Sequence, residues 1–420
     1  MENSKIRSRL KAQLTRFSAE LSAGLSKPQQ NFVSEMLFGM QASQDVKLSN
    51  IARSLQENIP LIKTEDRLSR NLQAEELESH LRGALLRLGS RRVESATVLC
   101  LDLSDVCKEH ARKMEYLDHV WDGSRGEVRQ GFWLCSIVGA QVQGSELVPL
   151  YQQLFSKRSA EFVSENEELL GAIDRLRAYT KGRGIWAVDR GGDRKKLIEP
   201  LLERRERFVI RSTGKRTVFD RRYRHVSLQQ LGAHCRLRHQ AKIVKIENGV
   251  EKILQLRFGA EPFYLPGRKE PMQLVVVAGF GAEPMLLQTN ISGVRDSESL
   301  WWIVQIYLAR WKIEETFRFV KQSYQLEDIR VRRYQRLKNL VLLMTAAAYF
   351  ATTFLGQKLK LKILCEKLLI ISQRFFGIPP FRFYALADGI RNVLWRSSPL
   401  PPANPPPDTG QLELLLTWTY

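Results

Sequence analysis

Between Ser95 and Thr213 the sequence reads as three apolar, strand-like runs and then alternates helix, strand, helix, strand. The runs are ATVLCLDLSD, QGFWLCSIVGAQV and ELVPLYQQLFS. The helix ENEELLGAIDRLRAYT follows, then the strand GIWAVDRGGD, the helix RKKLIEPLLERR and the strand RFVIRST. Such an order predicts a mixed α/β sheet with helices packed on it. A strand that ends in acids offers a rigid platform for chemistry, because the sheet fixes where its side chains point.

The flanking regions differ in kind. Residues 1–90 carry helical patterning without strand-like alternation, which predicts a helical domain. Inside it DVKLSNIARSLQEN and TEDRLSRNLQAEELESHLRGALLRLG read as two helices joined by the turn IPLIK. Ser49 or Asn50 starts the first, and Thr64 caps the second. This arrangement is helix-turn-helix-like and places Arg67, Arg70 and Asn71 on the second helix, suited to phosphates and base edges. Residues 214–290 turn to short strands and read as a mostly β insertion. Its segment IENGVE suits a hairpin turn. The α/β core therefore comprises residues 91–213 and 291–330, with a helical region at 331–397, suited to dimerisation or DNA contact, and a proline-rich tail at 398–420.

Charge narrows the partners. Lys plus Arg number 65 against 45 acids, a formal +20 over 420 residues. That excess points to a polyanion, and nucleic acid is the usual one. The five cysteines show no C-x2-C pair, which argues against a zinc site and fits a reducing compartment. Cys100 and Cys135, in apolar runs, read as buried thiols. The N-terminus lacks an apolar signal core. Leu340 to Gly356 is uncharged and just short of a comfortable span, and is expected to be a buried core helix rather than a membrane segment.

The most chemical pattern lies in IYLARWKIEETFRFVKQSY. One helix is expected from Asp296 or Ser297 to about Tyr324. On it Tyr307, Arg310, Glu314, Arg318 and Lys321 share an arc of roughly 80°. Ile306, Ile313, Phe317 and Val320 form the adjacent apolar stripe that would pack on a core. One carboxylate among cations and a phenol suits a metal ion on a phosphate, with the cations holding its neighbours. Two strand-end aspartates complete a candidate constellation: Asp102 in LCLDLSD and Asp189 in WAVDRGGD. Asp105 competes with the first and Asp193 with the second.

These three blocks, in this order, resemble those of bacterial insertion-sequence transposases of the DDE type, in the group with the YREG or YREK signature. DLSDVCKEH resembles the first block, AVDRGGD the second, and Tyr307, Arg310, Glu314 and Lys321 fall in register with the third. The resemblance implies a ribonuclease H-like catalytic core. It implies Asp102, Asp189 and Glu314 as catalytic metal ligands for two Mg²⁺ or Mn²⁺ ions. It implies DNA contacts from Tyr307, Arg310, Arg318, Lys321, Arg190 and Arg211. Cleavage at transposon ends and strand transfer to target DNA, by a homodimer on double-stranded DNA in the bacterial cytoplasm at the nucleoid, are its functional expectations. A catalytically silent DNA-binding relative, or a nuclease that cuts without joining, remains the alternative. One departure stands out: related transposases often carry a tryptophan in the strand before the patterned helix, where PMLLQTN here offers Met285. Trp301 and Trp302 lie at the helix start instead.

Overall fold

The computed structural model describes residues 2–123, 125–144, 146–247, 250–368 and 383–395. The proline-rich tail lies outside the described residues, as do 369–382 of the C-terminal helical region. Five helices open the chain: α1 (Glu2–Leu21), α2 (Lys27–Ser43), α3 (Leu48–Leu55), α4 (Leu61–Asn71) and α5 (Glu76–Ser90). The core follows as β1 (Val98–Cys107), β2 (Asp118–Asp122), β3 (Glu127–Ala140), β4 (Leu147–Phe155), α6 (Glu165–Thr180), β5 (Ile185–Val188), α7 (Lys195–Glu203) and β6 (Phe208–Arg211). Next come β7 (Thr217–Phe219), β8 (His225–Ser227), α8 (Leu228–Ala233), β9 (His239–Glu247), β10 (Val250–Tyr264), β11 (Pro271–Ala278) and β12 (Met285–Thr289). The chain then returns to helix with α9 (Ser297–Ala309), α10 (Trp311–Ser323), α11 (Tyr334–Tyr349), α12 (Gln357–Leu368) and α13 (Phe383–Leu394).

β4, β3 and β1 pair antiparallel, and β5 and β6 continue from β1 in parallel. This mixed order is the ribonuclease H-like arrangement expected from the sequence. β2, which the pattern reading passed over, shares the outer edge of β3 with β4 and pairs antiparallel with β3. The β-rich segment 214–290 does not form a sheet of its own. β12 pairs with β6, and β11, β10, β7 and β8 extend the same sheet to a total of 12 strands.

Alternation along β1 divides the core. Val98 and Cys100 face a cluster that includes Ile303, Ile306, Ile313 and Phe317 of α9 and α10; Leu99 and Leu101 face one built with Ile173 and Leu176 of α6 and Leu197 of α7. A period of two then puts Asp102 on the α9–α10 face. The stripe Ile306, Ile313, Phe317 and Val320 is buried, as its spacing predicts.

Two helices expected to be continuous are broken. The segment after IPLIK forms α4 and α5, not one helix. Freed carbonyls of Leu72 and Ala74 at the break accept the buried Asn339 amide from α11, so the interruption carries no unsatisfied acceptor there. Nor do the predicted starts hold: α3 is preceded by Lys47, and α4 begins at Leu61 after Pro60, leaving Thr64 within the helix with its hydroxyl on Glu57. Downstream, Asp296 caps α9 as anticipated, accepting the N–H groups of Glu298 and Ser299. The helix is interrupted at Arg310, where the bonds tighten to three-residue steps, Arg310 N–H to Tyr307 O and Ile313 N–H to Arg310 O.

The apolar segment around Leu340 lies in α11 and its continuation to Phe354. By length and composition this helix could cross a membrane, yet 89% of its most apolar window is buried inside the protein. Its polar groups are matched internally: Thr345 donates to Gln152, and Gln41 donates to the Ala347 carbonyl.

Candidate active site

The parallel register of β1 and β5 aligns Leu101 with Val188. The next residues on the two chains are Asp102 and Asp189. Neighbouring strands lie about 4.8 Å apart, so the two carboxylates are adjacent on the same face of the sheet. Asp189 leaves β5 into a short 3-10 turn, where its Oδ1 accepts the Gly191 N–H at 2.9 Å. A Cβ on Gly191 would come within 3.0 Å of that oxygen, which keeps this position small.

The third carboxylate arrives through Arg310. Its guanidinium donates to Glu314 Oε1 at 2.9 Å and reaches Asp102 Oδ2 at 3.4 Å. The interruption between α9 and α10 places Arg310 at the start of the helix that carries Glu314. Arg310 keeps only 7% of its side-chain exposure, Asp102 21% and Glu314 50%. The site is therefore closed at the sheet and open at the helix. Burial is the main reason that the Asp102 carboxyl is pushed up to about 7, with the charge on Asp189 and then on Glu314 acting the same way and Arg310 opposing them. Both burial and the nearby carboxylates disfavour the charged form here, which a bound cation would offset.

The competing aspartates are otherwise engaged. Asp193 accepts from Ser212, from both the N–H and hydroxyl of Thr213, from Arg216 and from Gln288. These bonds hold its carboxyl below the usual range despite burial. Asp193 thus ties the turn after Asp189 to β6 and β12. Asp105 accepts from the Cys107 thiol at 3.2 Å and from Lys321 at 3.0 Å. With Asp122 it forms a second group, Asp105, Cys107 and Asp122, whose ligand atoms lie within 4.8 Å of one another. Burial and the neighbouring Asp105 push the Cys107 thiol up, which disfavours the thiolate a metal would need. Lys321 already supplies a cation there.

The expected DNA-contact residues are spread around this centre. Tyr307, on α9, is 1% exposed, and Arg310 lies over its ring at 5.5 Å. Arg318 is exposed and paired with Glu315; Lys321 is held by Asp105 and Glu327. Arg190 is exposed in the turn after Asp189, and Arg211 ends β6 with a buried Nε lacking a hydrogen-bond partner. In the helical domain Arg67 is paired with Glu35 and Glu57, and Asn71 donates to the Arg67 carbonyl, while Arg70 is exposed.

Comparison with known proteins decides the family. Residues 121–350 match the family described as transposase DDE domain. The chain belongs to that family. It is a DNA-cleaving and strand-transferring enzyme, and DDE domains use divalent metal ions. No curated protein matches the sequence. Among solved structures, one match is the piggyBac transposase synaptic complex with hairpin DNA, at 12% identity and a TM-score of 0.46, covering 96% of this chain and 84% of that one. The likeness is too slight to settle the fold, which rests on the strand order.

Sequence reasoning missed the tie made by Asp193 and the part played by Lys108, which lies in the quoted block DLSDVCKEH without a role. A lone lysine in a polar stretch gives no sign that it will be buried.

Proposed function

We propose that this transposase cuts at the ends of its own element and joins the freed 3′-OH to target DNA, in a cut-and-paste reaction at Asp102, Asp189 and Glu314. The observation that supports the reading is that Asp102 and Asp189 directly follow the paired residues Leu101 and Val188, with Arg310 linking Glu314 to Asp102. The donor set fits divalent ions: carboxylates gather at one place, burial and then the charge on Asp189 raise the pKa of the innermost, and a guanidinium stands between it and Glu314. Mg²⁺ or Mn²⁺ held by these residues would lower the pKa of water and stabilise the leaving oxygen.

The remaining residues position and neutralise. Arg310 shields Glu314 from Asp102. Exposed Arg190 and Arg318 reach outward from the turn and the helix flanking the carboxylates, where phosphates of a bound duplex would fix its register without reading its sequence. The same reading assigns the chain to the YREK group of bacterial insertion-sequence enzymes. In it residues 1–90 read the terminal inverted repeats, and a dimer pairs two ends in the cytoplasm, at the nucleoid.

The test is incubation with DNA bearing the element's ends and Mg²⁺, followed by mapping of cut and joined strands. Asp102→Ala, Asp189→Ala and Glu314→Ala should each abolish cleavage and joining while end binding persists, since affinity comes mainly from cation–phosphate contacts. Cutting without joining would mark a nuclease. End binding by the wild type with no cutting would mark a silent relative.

A further inference from the structure

Glu314 reaches the site on a helix that could slide along the sheet, so its register needs fixing. Three attachments join β1 and the residue just past it to α10 and its flanking residues. Arg310 meets Asp102 at 3.4 Å. Lys321 meets Asp105 at 3.0 Å. Lys108, just past the end of β1, donates to the carbonyls of Leu326, Glu327 and Ile329 at 3.3, 2.6 and 3.3 Å. The anchors on the strand side fall three residues apart, about 10 Å at each step. Their partners advance in the same direction, before, near the end of and beyond the helix that carries Glu314. Lys321 also meets Glu327 at 3.0 Å, which joins the second attachment to the third.

Lys108 is the unusual member. It is 4% exposed, and its ammonium lies in a cage of main-chain oxygens. Burying an ammonium costs several kcal/mol unless the cage is complete, and an apolar side chain of the same length would fill such a space at lower cost. An ammonium in this place is better explained by what it fixes than by the stability it adds. It fixes the turn that ends the Glu314 helix.

We propose that Asp105 and Lys108 are positioning residues that lock α10 in register on β1, so that Glu314 is delivered to Asp102 and Asp189. They act through Lys321 and the 326–329 turn and touch neither DNA nor the reacting atoms. This rests on the reading of Glu314 as a catalytic carboxylate.

The full-length protein is compared with Lys108→Met, Asp105→Leu and Asp105→Asn. Four quantities are read: affinity for end DNA in chelator, single-turnover cleavage, Mn²⁺ affinity by calorimetry without DNA, and hydrogen exchange of residues 311–323. Small misplacement of a reacting group costs on the order of a hundredfold, so Lys108→Met and Asp105→Leu should cleave roughly 10- to 100-fold more slowly. Their DNA affinity should stay within about twofold, because phosphate contacts supply it. Mn²⁺ should bind more weakly, and α10 should exchange faster while β1 and β5 do not. Asp105→Asn keeps an oxygen for Lys321 and should cleave within about threefold of wild type. If Lys108→Met fails to fold, the two Asp105 variants decide alone. Cleavage near the wild-type rate by Lys108→Met or Asp105→Leu overturns the proposal. So does an Asp105→Asn as defective as Asp105→Leu, which would make Asp105 a ligand. Glu314→Gln is the separate control: normal cleavage by it would sink the active-site reading itself.

Discussion

Asp102→Asn should make the metal-free protein more stable and inactive at once. The substitution keeps the size of the side chain and removes only its charge. In the folded protein the carboxyl is pushed up to about 7 from an ordinary value of 3.8, first by burial and then by Asp189. Raising an acid on folding means that the native state holds its proton more tightly than the unfolded chain. The wild type therefore suffers no penalty below the unfolded value, loses stability as pH climbs between about 4 and 7, and bears the full loss above. Roughly three units at about 1.4 kcal/mol each give on the order of 4 kcal/mol, and residual solvent access brings this to about 2–4 kcal/mol. Arg310 keeps Glu314 as a partner in the variant, so no buried cation is abandoned. Urea unfolding in chelator from pH 4 to pH 8 measures the gap. The variant should match the wild type near pH 4 and exceed it increasingly toward pH 8. Added Mg²⁺ should narrow the gap, because ligand binding stabilises the carboxylate form selectively. A variant less stable at pH 8, or a gap indifferent to pH, would refute the claim that Asp102 is held in a site that disfavours its charge.

Asp193→Ala should cost about 3 kcal/mol or more, because it strands Arg216 and four other donors around a buried position. The Asp193 carboxyl is depressed on folding, so its contribution is present at neutral pH and lost on acidification; the wild-type advantage, followed by thermal melts, should close as pH falls through the aspartate range. End binding should weaken by roughly 10³-fold or more between 50 and 200 mM salt if six or more phosphates are contacted, a slope that filter binding would give directly. Deleting residues 1–90 should remove preference for the element's ends over unrelated DNA of equal length in the same assay.

What the sequence disclosed and what it hid divide by range of interaction. The strands carrying Asp102 and Asp189 were legible because apolar runs and acidic ends are local signals, and their adjacency follows once the order of elements is read as a parallel βαβ return. The cap at Asp296 and the stripe Ile306, Ile313, Phe317 and Val320 were legible for the same reason. The interruptions at Arg310 and after Asn71 were not, since neither contains proline or glycine. One is supported by Asn339, more than 260 residues away, and the other brings Arg310 to Asp102, 208 residues back. The short pairing of β6 with β12 was hidden likewise, because an edge strand looks the same in sequence whether it closes a sheet or continues one.

The interruption at Arg310 changes how the patterned segment is understood. On one continuous helix Tyr307, Arg310, Glu314 and Lys321 would form a single cationic face offered to DNA. In the structure Tyr307 is buried beneath Arg310, and Lys321 is committed to Asp105 and Glu327. The pattern then also describes a mount for one carboxylate. Tyr307 supports the guanidinium, the guanidinium spaces Glu314 from Asp102, and Lys321 secures the far end of the helix. Spacing that is meaningless for a solvated helix face becomes necessary for a part that must be held at both ends.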